Sequence, residues 1–363
     1  MRKILITGGG GLIGQAIAEE HLQHGDDVYI YDTRLNTFND YSNLLGIDLT
    51  LKGSIDKVIN ENDFDIISHQ ASHVGVGESQ YNIIKYAENN IIFTAKILQT
   101  LAEKSKKIKM FILAGSMGPY GEGPYNCHEH GIIYPIRDKV IHILCPICSS
   151  KNILPLAINE NCLKIPKSIY GLTKLSQEEM VRIFSEIYDI MSISLRYFSV
   201  YGHQSNPTNP YTGVLSVIGN KIINSKEIHL YEDGEQTRDL ISSIDIAKAH
   251  YLTTKTQFSK RFESFNLGTG RSISLKEVAR QMLSNVKVNK KIIFNNLYRI
   301  GDIKHSRADI HKFTTMTGWK PSIDITQAIV DYSSYLLLNW LKYSTKIDTS
   351  ETEHLNLKSK GII

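Results

Sequence analysis

Along the first 200 residues, short apolar runs alternate with stretches whose apolar positions recur every three or four residues. Lys3–Thr7 is such a run, and it breaks into Gly8-Gly9-Gly10-Gly11-Leu12-Ile13-Gly14. A helical pattern follows through Ala16, Ile17, Ala18 and Leu22 and ends near Gly25; a second run over 28–31 stops at Asp32. Strand, glycine turn, helix and strand make a βαβ unit. The same reading predicts further strands at 44–47, 65–69, 109–114 and 192–197, with helical segments between most of them, notably 80–103. The expected fold is α/β, a doubly wound parallel sheet with helices on both faces and a smaller C-terminal substrate-binding lobe.

The glycine turn has a physical purpose in such a fold. A turn this tight needs positive φ, and a pyrophosphate approaches the backbone only where no Cβ intrudes. The helix that follows offers free N–H groups and a partial positive charge to phosphate. Gly8, Gly11, Leu12, Ile13 and Gly14 are therefore the expected phosphate contacts. Asp32, 18 residues after Gly14, sits where a carboxylate accepts the adenosine ribose hydroxyls, which favours NAD. Arg34 is the competing signal, because a nearby arginine neutralises a 2′-phosphate.

Composition narrows the class only a little. The chain has 363 residues, of which 42% are hydrophobic and 21% charged, an ordinary globular balance. A net charge of +4 argues against a dedicated nucleic-acid surface. No run of roughly 18 uncharged apolar residues predicts a membrane span, and the N-terminus enters glycine too early for a signal peptide. A cytoplasmic location is the default expectation. The expected layout is a Rossmann domain over 1–200 interrupted by a cysteine-containing insertion near 122–165. A lobe over 201–343 follows, its boundary interleaved, and then a polar, aperiodic and mobile tail over 344–363.

The catalytic signal is Tyr170-Gly171-Leu172-Thr173-Lys174, with Ser116 upstream. Residues four apart share a helix face. An ammonium beside a phenol lowers the phenol pKa, so that Tyr170 exchanges a proton with a substrate hydroxyl while a nicotinamide handles the hydride. Ser116 would hydrogen-bond the same oxygen. With the βαβ unit, this set resembles the triad of the extended short-chain dehydrogenases, the nucleotide-sugar epimerases and dehydratases. The resemblance runs over roughly residues 1 to 335.

That resemblance implies further roles. Asp48-Leu49 resembles the family's adenine-contacting pair, Gln70-Ala71-Ser72 the segment lining the cofactor, and Asn90 the asparagine of the next helix. Tyr170 and Lys174 would also touch the cofactor. Arg196–Gly202 resembles RYFNVYG, which puts Tyr197, Phe198 and Val200 at the nicotinamide; Ser199 replaces the usual asparagine and weakens a bond to the substrate diphosphate. Met117 lies beside Ser116 on the substrate side. Arg238 and the Arg299-Ile300-Gly301-Asp302 segment resemble the diphosphate arginines and the nucleoside-supporting aspartate. An arginine fork suits phosphate oxygens better than a lysine does. Asn209 and Thr212 fall in a substrate-loop signature of a narrower subgroup that resembles dTDP-L-rhamnose 4-epimerases. The implied substrate is a nucleotide sugar, with dTDP-6-deoxyhexose or UDP-hexose as candidates. The family also pairs two subunits through the helices equivalent to 80–103 and 167–188, so a homodimer is expected.

The reaction is read from what flanks Ser116. A 4,6-dehydratase needs an acid there, whereas this chain has Met117-Gly118, and Glu122 lies beyond a glycine turn. NAD-dependent 4-epimerisation is the favoured reading and reduction of a 4-keto sugar the alternative. The insertion carries Cys127-His128-Glu129-His130 and Cys145-Pro146-Ile147-Cys148. Cys127, His130, Cys145 and Cys148 have the spacing to surround a tetrahedral structural zinc. The subgroup resembles this feature too, with cysteine where His130 stands. Metal-free thiols in a loop are the alternative. A zinc-ribbon module for nucleic acid would need clustered basic residues, and this stretch carries only Arg137 and Lys139.

Overall fold

The computed structural model describes residues 1–33, 47–48, 54–104, 107–137, 142–202, 213–225, 227–344 and 349–363, with backbone alone at 47–48 and 349–353. Among these, seven strands form one sheet in the order Phe262–Leu267, Met191–Tyr197, Met110–Ser116, Ile66–His69, Lys3–Thr7, Asp27–Tyr31, Ile47–Asp48. Every neighbouring pair is parallel. From its first strand the chain winds outward to Ile47–Asp48, then crosses back to Ile66–His69 and winds the other way. The crevice where that reversal occurs, at the strands' carboxyl ends, is where open α/β sheets bind ligands.

Alternation along each strand decides what packs where. Ile4 and Ile6 face one side and join Ile17, Val28, Ile30, Ile112 and Leu195 in one buried cluster. Leu5 faces the other with Ile67, Phe111, Leu113, Ile97 and Val181. Both faces are covered, as a parallel sheet requires. The expected helix at 80–103 is broken up: Val76–Ser79 is a separate turn, and Ile83–Tyr86 and Phe93–Glu103 flank a π-helical stretch at Ala87–Ile92.

A second core gathers Leu215, Ile218, Ile222, Val278, Met282, Ile329 and Tyr332 from helices Val214–Asn224, Leu275–Val286 and Ile325–Leu338. Helix Ser243–Thr253 and strand Phe262–Leu267 return to the main sheet, so the two units are interleaved in sequence. The insertion is a three-stranded antiparallel sheet of Ile153–Pro155, Tyr125–Cys127 and Gly131–Ile133 with its own small core. The C-terminal segment carries regular structure that its polar, aperiodic sequence did not suggest. Residues Thr349–Ser359 form a helix; Leu357 is buried, and the Ile362 carbonyl accepts the Ile300 N–H at 2.9 Å. A few apolar anchors hold a segment whose overall composition is polar. Among the described residues, no helix is long and apolar enough to cross a membrane.

Candidate active site

Gly8 follows the first strand with φ +71°, and a Cβ there would lie 2.6 Å from the Ala71 nitrogen. A Cβ on Gly14 would lie 2.4 Å from the Gly8 carbonyl oxygen. Only glycine permits the turn to sit this close to the neighbouring strand end. Helix Leu12–Gln23 starts at Gly11 with no side-chain cap and no acid in its first turn. Its N-terminal N–H groups thus stay available to an anion, and Leu12 and Ile13 open that helix. Asp32 ends the second strand as expected and accepts the Gly10 N–H at 2.9 Å. Strand Ile47–Asp48 carries Asp48 to the sheet edge. Arg34 and Leu49 lie outside the described residues. These features fit a dinucleotide pyrophosphate and its adjoining ribose.

The opposite wall is pinned by Asn90. Its Oδ1 accepts from the His73 N–H at 2.7 Å and from Ser72 Oγ at 3.1 Å, and its Nδ2 donates to Thr173 Oγ1 at 2.9 Å. The π-helical turn that aims Asn90 thereby ties the Gln70-Ala71-Ser72 segment to the Tyr170 helix. Tyr197 donates to Gln70 Oε1 at 3.1 Å. Phe198 points elsewhere, into a cluster with Tyr120, Ile158 and Ala308, and Met117 packs against that cluster. Val200 packs on the main core and pairs with Ile241.

Helix Ile169–Tyr188 begins at Ser168, whose hydroxyl accepts the Gly171 N–H at 3.0 Å. It crosses the turn after Ser116 so closely that a Cβ on Gly171 would fall 2.8 Å from the Gly118 oxygen. That contact brings Tyr170 Oη to 3.5 Å from Ser116 Oγ, which also accepts the Gly118 N–H at 3.1 Å. Lys174 lies one helical turn on, with Nζ donating to the Ala114 carbonyl at 3.0 Å. Burial pushes the Lys174 ammonium down to about 7 and the Tyr170 phenol up, the latter opposed by its bond to Ser116. The expected lowering of the phenol by its lysine neighbour is not found here: desolvation outweighs the bond to Ser116, which alone opposes it.

The two arginines expected on the substrate side belong to the second unit. Arg238 is half-buried and donates to the carbonyls of Thr237 at 2.8 Å and Lys304 at 3.2 Å. Arg299 pairs with Asp302 at 2.8 Å, and both lie within electrostatic reach of Arg238. Ser199 starts the strand Ser199–Tyr201 and donates its N–H to the Asp239 carbonyl at 3.0 Å. Asn209 and Thr212 lie outside the described residues. Sequence reasoning missed two members. Glu122, assigned to a loop, is buried, and Arg137 of the insertion pairs with it at 3.1 Å and with Glu232 at 2.9 Å. No local signal marks pairs that are 15 and 95 residues apart.

Cys127, His130, Cys145 and Cys148 converge so that their ligand atoms all lie within 4.8 Å of one another. Cys127 Sγ is 3.6 Å from His130 Nδ1 and 3.8 Å from Cys148 Sγ, and Cys145 Sγ is 3.8 Å from His130 Nδ1. Zinc bonds of about 2.3 Å to sulfur and about 2.0 Å to nitrogen in a tetrahedron separate ligands by about 3.5–3.8 Å. The donor set therefore fits tetrahedral zinc. His128 is not among the converging donors.

The sequence profile of the NAD dependent epimerase/dehydratase family matches residues 4–140 and 145–268. The chain is similar to a dTDP-L-rhamnose 4-epimerase of Burkholderia thailandensis, with 27% identity over 347 residues covering 92% of this chain and 95% of the relative. A UDP-glucose 4-epimerase of Halalkalibacterium halodurans is 26% identical over 367 residues, covering 94% and 98%. The crystal structure of a UDP-glucose 4-epimerase from Bifidobacterium longum in complex with NAD+ and UDP shares the fold. Its TM-score is 0.74 and its identity 23%, and the match covers 93% of this chain and 98% of that one.

Proposed function

Because the chain belongs to the NAD-dependent epimerase/dehydratase family, we propose that it is an NAD-dependent nucleotide-sugar 4-epimerase acting in the cytoplasm on a dTDP-6-deoxyhexose such as dTDP-L-rhamnose, or on a UDP-hexose. The observation that carries the reading is the Ser116–Tyr170–Lys174 arrangement at the carboxyl end of the sheet, beside the glycine turn. NAD, when bound, accepts and returns a hydride. Tyr170 takes the C4 hydroxyl proton and gives it back, Ser116 holds the same oxygen, and Lys174 sets the charge around them. Arg238 and Arg299 would grip the diphosphate while the sugar turns over between its two faces, so that binding energy is concentrated away from the reacting carbon. Glu122 disfavours a dehydratase. The acid nearest in sequence to Ser116 is committed to Arg137 and accepts the Lys304 N–H at 2.8 Å, so it is not poised to expel a hydroxyl as water. Product NMR tests this with NAD present, no reduced cofactor, and dTDP-L-rhamnose, UDP-glucose, UDP-GlcNAc and a 4-keto-6-deoxy sugar as candidates. Interconversion of C4 epimers is expected. Consumption of the keto sugar only on adding NADH or NADPH makes the protein a reductase instead.

The four-ligand cluster is proposed to hold one structural zinc, with no open position for substrate, bracing the insertion beside the crevice. Metal analysis of purified protein should find one zinc per chain. Cys145→Ser should lose it and lower Tm by roughly 5 °C. Metal-free wild-type protein from zinc-supplemented cells would remove zinc from this reading.

A homodimer is also proposed. Ile83, Ile84 and Ile92 on one helical run and Leu172, Ile183 and Ile187 on the Tyr170 helix are all exposed, whereas Leu98 turns into the core. Exposed apolar residues on two adjacent helices suit a paired interface. Light scattering should give twice 41.0 kDa for the wild type, and Ile187→Lys should shift the mass toward one chain; a monomeric wild type ends the idea.

A further inference from the structure

Arg137 carries the insertion to the Arg238 side of the crevice. The Arg137 side chain is 8% exposed, and its guanidinium lies over the Tyr298 ring with the centroid at 4.2 Å. Its Nε donates to Glu122 Oε1 at 3.1 Å and its Nη1 to Glu232 Oε1 at 2.9 Å, while Nη2 is buried with no hydrogen-bond partner among the described residues. The other Glu122 oxygen accepts the Lys304 N–H at 2.8 Å, and the carbonyl of that same residue accepts from Arg238 at 3.2 Å and from the Thr237 N–H at 2.9 Å. Arg137, Glu122, the Lys304 backbone and Arg238 thus form one continuous chain of contacts from insertion to lobe.

The charges in this chain are not balanced by chance. Glu122 and Glu232 are two buried carboxylates within electrostatic reach of Arg238. Lys304 Nζ lies 3.5 Å from Glu232 Oε2 and offsets one of these charges; without Arg137 the remaining carboxylate would take Arg238 as partner and cancel its field towards an incoming dianion. We propose that Arg137 is a positioning residue for substrate binding: by neutralising Glu122 and, together with the Lys304 ammonium, Glu232, and through Glu122 and the Lys304 backbone, it keeps Arg238 clear of both carboxylates and aimed for the nucleoside diphosphate. The inference rests on the reading above that Arg238 meets the diphosphate. It also gives the insertion a part in substrate affinity, since the hairpin carrying Arg137 runs directly into Cys145.

Calorimetric titration of UDP and dTDP into the NAD-loaded protein tests both levels. Arg137→Met should weaken nucleoside diphosphate binding by about 10- to 100-fold, leave the NAD Kd within about twofold, and raise KM for the sugar nucleotide with kcat nearly unchanged. The triple variant Arg137→Met, Glu122→Gln, Glu232→Gln removes the stranded charges yet keeps an amide oxygen for the Lys304 N–H, and should recover most of the affinity. It also serves as the test if Arg137→Met alone fails to fold. A triple variant as weak as the single one overturns the neutralising role. Arg238→Met is the reference. If it binds UDP and dTDP normally, the underlying assignment of Arg238 falls; if it binds weakly while Arg137→Met binds like wild type, only the role of Arg137 falls.

Discussion

Tyr170→Phe lowers epimerisation by roughly 10²- to 10⁴-fold, the range for loss of a positioned general acid–base group, while NAD and nucleotide affinities stay within about twofold. The substitution removes one oxygen and little else. The ring remains edge-on to Tyr86 with centroids 6.4 Å apart, and the backbone carbonyl of residue 170 still accepts from Thr173, which Asn90 holds from the other side. Ser116 loses its neighbour at 3.5 Å but keeps the Gly118 N–H. Ser116 is no substitute base, because a hydroxyl with no basic partner stays protonated at neutral pH. The defect should therefore lie in kcat, with no NADH absorbance developing when substrate is mixed with the NAD-loaded variant. A variant retaining more than a tenth of wild-type turnover would assign the proton transfer to another group.

Much of this site could be read from the chain because its geometry is local. Four glycines between an apolar run and a helical pattern specify one turn, and a tyrosine and lysine four apart need only a helix to share a face. What escaped the reading depends on distant partners. Strand Phe262–Leu267 was not assigned, because its Glu263, Ser264 and Asn266 look like surface positions. Glu263 pairs with Lys312 at 2.6 Å, and Asn266 accepts from Tyr120 and donates to the Ile158 carbonyl, so the polar groups are satisfied inside. Glu178 and Arg196 form a buried pair at 2.6 Å across 18 residues, which a count of charges reads as solvated surface. Glu122 belongs to the same class. A buried charge is legible only with its partner, and the partner is set by the fold.

Acidification supplies the other large effect: unfolding free energy should drop by roughly 3–5 kcal/mol between pH 6.5 and pH 5, at about 1.4 kcal/mol per pH unit for each histidine that cannot protonate in the folded state. His21, His69 and His250 are buried, and desolvation lowers all three pKa values, that of His69 to about 3 and that of His250 well below the usual range. The sign follows from the reference state. Unfolded histidines take up protons as pH falls through about 6.5, whereas the folded ones refuse them, so acid favours unfolding. Burial is the main cause of the refusal, opposed at His21 by the Asp26 carboxylate, and the hydrogen bonds set which ring nitrogen carries the proton. Tyr197 donates to Gln70, Gln70 to Ser68, Ser68 to His250 Nε2, His250 Nδ1 to His21 Nε2, and His21 Nδ1 to Asp26, with every donor pointing the same way. A second proton on His21, at Nε2, would set two N–H groups against each other, and one on His250, at Nε2, would turn the Ser68 hydroxyl away from its acceptor. His69 is closed likewise: Thr94 donates to the Asn90 carbonyl and so accepts from His69 Nε2, which leaves Nδ1 to accept from Thr7. The Asp26 carboxylate, held below its usual range mainly by His21 and Arg2 against the opposing effect of burial, loses its own contribution only as pH falls below about 4, so it lies outside this window. Urea unfolding at half-unit pH steps measures the slope, and His69→Gln should reduce it by one histidine's share. A stability that is flat from pH 6.5 to 5 would mean that these rings accept protons in the folded protein, and that the one-way chain running from Tyr197 and Gln70 to Asp26 is drawn wrongly.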